Sequence, residues 1–316
     1  MCLALGCNLV ACAQNTSANQ NVGESSVPAA SDESAVQVVS ETPETGGKDY
    51  YTDDDFSFPE GYDDEREDAQ RCTVIRGVTY YSSTVGHSKE CTVILPPGYS
   101  EEETYPVVYC LHGFDGSPSD WEIAIKPYEN MIADGVASKA ILVLPQMFTS
   151  EKSYDESTEE EKRLAYDNFA QDLEQDLMPF IQGAYPVATG RENTAIIGLS
   201  QGGTESLAIG FKLQAKIGYI ASLAPCSGVI PTPYYEGTYW NWPILDDFNI
   251  YDPSTEPLYL LLNVGSEDPW DFECTLYYDQ VLTEEGIRHQ FYQLDGVGHG
   301  HEAWISGFYN FMKRIF

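Results

Sequence analysis

The chain has 316 residues, 42% of them hydrophobic, with 16 Lys and Arg against 50 Asp and Glu, a formal net charge of −34. That length and apolar content suffice for one large buried core or two small ones. The charge excludes electrostatic attraction to phosphate backbones and anionic headgroups, and with it nucleic-acid or charge-driven membrane-surface binding. The eight cysteines contain no Cys-x-x-Cys and no His/Cys cluster, so neither a metal site nor a cofactor is expected from them.

Residues 1–12 are small and apolar but too few to span a bilayer. Leu9-Val10-Ala11-Cys12 resembles the lipobox of bacterial lipoproteins, in which the cysteine is lipidated; a lipid on Cys12 would be the chain's one membrane contact, at the cell surface. One feature departs from a signal peptide: no Lys or Arg precedes the apolar run. Residues 13–70 are rich in Ser, Glu, Asp, Asn, Thr and Pro, with acidic runs at 53–55 and 63–65. They show no period of helix or strand and read as a disordered, self-repelling linker. The domain is expected over 71–316.

From Cys72 the texture changes. Thr73 to Ser82 and Cys91 to Leu95 read as paired strands with a turn near Val85-Gly86-His87. Pro106 to Leu111 and Ala140 to Leu144 read as buried strands. Phe169, Leu173, Leu177 and Phe180 place a helix within Leu164 to Ile181. Asn193 to Gly198 is a strand and Gly203 to Leu213 a helix. Ile217 to Leu223, Leu258 to Val264 and Gln290 to Leu294 are further strands, and Glu302 to Phe316 a final helix. Strand and helix alternating this way predict an α/β fold, a mostly parallel sheet covered on both faces. Cys72, Cys91 and Cys110 read as small core residues; a disulfide among these, Cys226 and Cys274 stays open.

The chemistry concentrates at Gly198-Leu199-Ser200-Gln201-Gly202, between an apolar strand and a helix. This is the setting of a nucleophile elbow, whose turn is so tight that the flanking residues must be small. A serine hydroxyl needs a base, usually a histidine oriented by a carboxylate. His289, His299 and His301 lie downstream of Ser200. His299, in Gly296-Val297-Gly298-His299-Gly300 after the last apolar strand, is the expected base; His301 is the competitor, and His289 is expected to be solvated. Asp268, after the strand ending near Val264, is the expected acid, with Glu267 and Asp271 as alternatives expected to face solvent. The two oxyanion donors are expected from the backbone N–H groups of Gln201 and of Phe114, which follows Leu111-His112-Gly113.

Residues from about 75 to 316 resemble the esterase D-like group of the α/β-hydrolase fold, and within it carbohydrate esterase family 1, the feruloyl and acetyl xylan esterases. The matching stretches are Leu95-Pro96-Pro97-Gly98-Tyr99, Tyr105 to Gly113, Asp176-Leu177-Met178-Pro179-Phe180-Ile181, the elbow, Gly265-Ser266-Glu267-Asp268 and Gly298-His299. The resemblance implies a serine esterase acting on acyl groups of plant cell-wall polysaccharide, without a cofactor. Two residues depart from it. Gln201 stands where feruloyl esterases commonly carry Met, and Asp115 where a Gly often follows the oxyanion residue; Asp115 is expected to point away from the site. The aromatic insert from Tyr234 to Tyr251 offers Trp240 and Trp242, and Trp270 lies beside Asp268; all three are candidates for stacking on a phenolic acyl group or a sugar. A general carboxylesterase and a non-catalytic binding protein on the same scaffold are the alternatives.

Overall fold

The computed structural model describes residues 49–316. The segment 1–12 with its Cys12, and the linker from 13 to 48, lie outside the described residues. Among the described residues no helix is long and apolar enough to cross a membrane.

Eight strands form one sheet: β1 (Thr73–Ser82), β2 (His87–Leu95), β3 (Val107–Leu111), β4 (Ile141–Pro145), β5 (Thr194–Leu199), β6 (Tyr219–Leu223), β7 (Tyr259–Gly265) and β8 (Gln290–Leu294). Their order is β1-β2-β4-β3-β5-β6-β7-β8. β1 and β2 pair antiparallel, as do β2 and β4, and every pair from β4 to β8 is parallel. This is the α/β-hydrolase fold. Its parallel strands are buried on both faces, which is why they read as unbroken apolar runs. Along β3, Val107, Tyr109 and Leu111 enter one core while Val108 and Cys110 enter the other.

The helices are α1 (Ile125–Ala133), α2 (Glu159–Asp167), α3 (Phe169–Asp172), α4 (Met178–Ala184), α5 (Gln201–Lys212), α6 (Phe272–Glu284) and α7 (His301–Met312). Tyr128 and Met131 of α1 and Phe308 and Phe311 of α7 fill the core on one face. Phe169, Leu207, Phe211, Tyr278 and Leu282 from α3, α5 and α6 fill it on the other. The helix expected from Leu164 to Ile181 is interrupted: a π-helical turn, Leu173–Leu177, joins α3 to α4. Cys72, Cys91, Cys110, Cys226 and Cys274 are all free thiols.

The linker expectation fails between residues 49 and 70, which form a belt across the domain. Tyr51 is buried; its hydroxyl accepts from the Leu260 N–H at 2.9 Å and donates to the Arg288 carbonyl at 2.8 Å. Phe56 stacks on Tyr292 at 4.9 Å, and Phe58 and Tyr62 meet Tyr309 edge-on. The acidic run is not self-repelling here, because Asp53 pairs with Lys313 at 2.8 Å and Asp49 with Arg288 at 2.7 Å. Composition hid this: the aromatics that dock the belt are spaced irregularly among acids, so no periodic signal marks them.

A chain beginning at residue 71 should therefore melt lower than one beginning at residue 49. Tyr51→Ala in the longer chain should cost about 3 kcal/mol, on the order of 5–10 °C in Tm. Calorimetry of the three proteins checks this, and identical melting would show that the belt contributes nothing.

Candidate active site

The sheet brings five loops together at the carboxyl ends of its parallel strands, where open α/β sheets bind ligands. They follow β3 (His112 to Gly116), β5 (Ser200), β6 (Cys226), β7 (Asp268 to Asp271) and β8 (His299).

Ser200 stands between β5 and α5 at φ 55° and ψ −121°. Its N–H donates to the Leu223 carbonyl at 2.8 Å. A Cβ on Gly198 would overlap the Gly202 carbonyl, and one on Gly202 would overlap the carbonyls of Leu111 and His112. The turn thus requires glycine on both sides of the serine. Gln201 opens α5, so its N–H has no acceptor within the helix. The loop after β3 presses on the same turn: a Cβ on Gly113 would lie 3.6 Å from the Ser200 Cβ. His112 is buried beneath this loop. Its Nδ1 donates to the Gly113 carbonyl at 2.8 Å and its Nε2 accepts from the Met147 N–H at 3.1 Å. Burial lowers its pKa, so it is neutral and structural. Asp115 is exposed and adopts φ 60°, which explains a preference for glycine at that position.

His299 Nδ1 donates to Asp268 Oδ2 at 2.6 Å. The other oxygen, Oδ1, accepts from the N–H groups of Trp270 and Asp271, each at 3.0 Å. The loops carrying the pair are stitched by backbone bonds from Ser266 to Leu294 at 2.8 Å and from Glu267 to Val297 at 2.9 Å. The imidazole lies between two indoles, Trp270 at 5.2 Å and Trp304 at 5.6 Å, both edge-on. Burial raises the Asp268 pKa, but the bonds from His299 and the two N–H groups outweigh it and hold the carboxyl below its usual range. Burial opposes the charged imidazole, yet the Asp268 bond and the charges of Asp271 and Asp268 raise the His299 pKa above its ordinary value. His301 is exposed at the start of α7, and Glu267 is exposed. His289 is not solvated: its side chain is largely buried, bonded to Asp279 at 2.9 Å and to the Ile287 carbonyl.

A cavity of about 280 Å³ is lined by Phe114, Ser200, Cys226, Ser227, Tyr235, Trp240, Trp270, Asp271 and His299. The structure therefore gathers Ser200, His299, Phe114, Trp240 and Trp270 around one space. Trp240 packs on Phe114 at 4.8 Å. Trp242 does not line the cavity; it is 40% exposed and touches Tyr239 edge-on. Phe248, from the same insert, is buried against Phe211 and Tyr278.

Two further residues of the cavity carry chemistry. Asp271, expected to face solvent, is buried at the N-terminus of α6, with its Oδ2 3.6 Å from His299 Nδ1. Burial and the Asp268 charge push its pKa up to about 7, against the pull of His299 and Cys226. Cys226 lies 3.7 Å from Ser200 Oγ and donates to Asp271 Oδ2 at 3.4 Å. Its position just beyond β6 was the available signal, since the ends of parallel strands face the ligand crevice. Asp268, Asp271 and His299 bring ligand atoms within 4.8 Å of one another, but the Nδ1 that a cation would need is engaged as a donor to Asp268.

Known proteins resemble this chain in sequence and fold. The ferulic acid esterase of carbohydrate esterase family 1 from the anaerobic fungus Anaeromyces mucronatus, solved without substrate, is 30% identical, with a TM-score of 0.75 over 83% of this chain and 97% of that one. Its complex with ferulic acid is 29% identical with the same TM-score and coverage. An endo-1,4-beta-xylanase/feruloyl esterase of Xylanibacter ruminicola is 28% identical over 153 residues, which span 46% of this chain and 20% of that protein. The family model described as "Putative esterase" matches residues 82–274, more than half of the chain. By fold, by that match and by its likeness to the fungal enzyme, the chain belongs to this esterase family and is a carboxylic ester hydrolase.

Proposed function

We propose that the protein removes feruloyl groups from plant cell-wall polysaccharide through an acyl-enzyme on Ser200. The observation that carries this reading is the cavity beside Ser200, walled by Phe114, Tyr235, Trp240 and Trp270, an apolar aromatic slot suited to a planar phenolic acyl group. The ferulic acid complex of the fungal relative supports it. In this mechanism His299 takes the Ser200 proton as the hydroxyl attacks the ester carbonyl. Asp268, bonded to His299 Nδ1, fixes the tautomer and stabilises the imidazolium. The N–H groups of Gln201 and Phe114 receive the oxyanion. The alcohol leaves with the proton from His299, and water activated by the same base releases the acid. The released acid is anionic, and the Asp268 carboxylate within a protein of net charge −34 repels it.

Ser200→Ala and His299→Ala should each lower kcat on methyl ferulate by ~10⁴ or more, while His301→Ala changes little. The double variant should be no worse than either single, because the two act as a unit. In the unaltered enzyme kcat/KM should fall on the acid side with a midpoint above 6.5, since the base must be neutral and its pKa is raised. A wild-type rate for Ser200→Ala would end the serine mechanism.

The substrate is tested by Trp240→Ala, which should lower kcat/KM for a feruloyl ester roughly threefold to tenfold more than for an acetyl ester. Trp242→Ala, outside the cavity, should lower both little. Equal losses for the two esters on Trp240→Ala would favour the acetyl or general esterase reading.

A surface location through a lipid on Cys12 belongs to the same reading, since a polysaccharide substrate lies outside the cell. Cys12→Ser should move the enzyme from the membrane to the soluble fraction of the host. Unchanged fractionation would remove the anchor and leave the esterase assignment intact.

A further inference from the structure

Asp271 and Cys226 form a second polar path around the proposed catalytic residues. The Cys226 sulfur touches Ser200 Oγ at 3.7 Å and donates to Asp271 Oδ2 at 3.4 Å; the same oxygen lies 3.6 Å from His299 Nδ1. A buried carboxyl this close to a histidine that already bonds another carboxylate is costly unless it has partners. Among the described residues its side-chain donor is the weak thiol of Cys226, which leaves hydrogen-bonding capacity on the carboxylate.

We propose that Asp271 is a reserve acid for His299: a positioning residue, held beside the imidazole by Cys226, that shares with Asp268 the task of stabilising the imidazolium. This inference rests on the assignment of His299 as base and Asp268 as its first acid. Asp268 is fixed by two backbone N–H groups on Oδ1 and holds the short bond. Asp271 Oδ2, at 3.6 Å from Nδ1 against 2.6 Å for Asp268, stands just outside hydrogen-bond range, near enough to act by charge and to close on Nδ1 if Asp268 no longer accepts there.

The ionisable groups around Asp271 decide when its charge is present. His299 faces it from the loop after β8, Asp268 from its own loop, and Cys226 from the loop after β6. Cys274 and Tyr278 face it from α6, and Tyr235 from the aromatic insert. His299 alone among them can carry a positive charge. Burial and the Asp268 charge outweigh that pull and hold the Asp271 carboxyl up to about 7, so its charge is gained as the pH rises. Replacing Asp268 by asparagine removes a like charge and lowers the pH at which Asp271 ionises.

The test is a double-mutant cycle of Asp268→Asn and Asp271→Asn, read as kcat/KM against pH on p-nitrophenyl acetate, a substrate indifferent to the feruloyl reading. Asp268→Asn should lose well short of the ~10⁴ that an unsupported triad acid costs, and its residual rate should climb with pH as Asp271 ionises. Asp271→Asn should cost at least ~10-fold more in the Asp268→Asn background than alone, and the climb should vanish in the double variant. A downfield proton resonance of His299 Nδ1–H that persists in Asp268→Asn and disappears in the double variant supports the same conclusion, and thermal melts confirm that each variant folds. Equal factors for Asp271→Asn in the two backgrounds, after a real loss in Asp268→Asn, would overturn the reserve role alone. An active Asp268→Asn with an inactive Asp271→Asn would overturn both the reserve role and the assignment of Asp268 as first acid.

Discussion

Ser200 sits in a backbone region that L-residues avoid, and it stays there because nothing around it can relax. Gly198 and Gly202 approach each other until no side-chain atom fits between them, and Gly202 also lies against the carbonyls of the chain leaving β3. The strain is held by the parallel pairing of β5 with β3 and β6 and by the bond from the Ser200 N–H to Leu223. The same contacts place the loop after β3, with Phe114, beside the first N–H of α5. One tight turn thus sets Ser200, the proposed nucleophile, the N–H groups proposed to receive the oxyanion, and the wall of the cavity. Had the serine relaxed to an ordinary helix cap, these features would separate.

Beneath the turn the departure at Gln201 finds its explanation. The side chain is fully buried and donates to Glu205 at 2.8 Å, one helical turn along α5. Burial raises the Glu205 pKa, and the charge of Arg163, 3.5 Å away on α2, opposes that rise. Arg163 also pairs with Asp167. A thioether has no donor to offer Glu205, whereas the amide does. The N–H of Gln201 belongs to the backbone, so the exchange alters what lies under the proposed oxyanion site and leaves that N–H in place.

Much of this was legible in the sequence, for reasons that differ by residue. The strands were readable because a parallel sheet buries both faces, and the elbow because its steric demand leaves glycine no substitute. The meeting of Asp268 and His299 was readable because strand ends are counted in order and few histidines compete. Asp271 was misjudged because a strongly acidic composition suggests solvent for any carboxylate near a turn, and burial is a property of α6 docking on the sheet that no local pattern encodes. His289 was misjudged for the same reason, since its partner Asp279 comes from α6. Trp240 and Trp242 are two residues apart and have the same chemistry, yet only Trp240 lines the cavity; the bonds of Asn241 to Thr232 and Ser227 decide that, and such a loop has no period to read.

The belt from residue 49 to 70 shows why composition alone failed there. With 16 cations against 50 acids, most acids in this chain must find water, so an acidic run reads as unstructured. The belt instead carries its acids to where cations are grouped: Arg288 before β8, and Lys313 and Arg314 at the end of α7. Aromatic burial supplies the stabilisation and the charge pairs supply the register, since exposed pairs of this kind contribute little by themselves. The Tyr51 hydroxyl joins the amino ends of β7 and β8, accepting from Leu260 on one and donating to Arg288 ahead of the other. The opposite ends of those strands carry Asp268 and His299. The ladder from Leu261 and Gln290 to Gly265 and Leu294 holds the two strands side by side, and the belt ties them again at the end opposite the loops that must meet at 2.6 Å for the imidazole to be oriented.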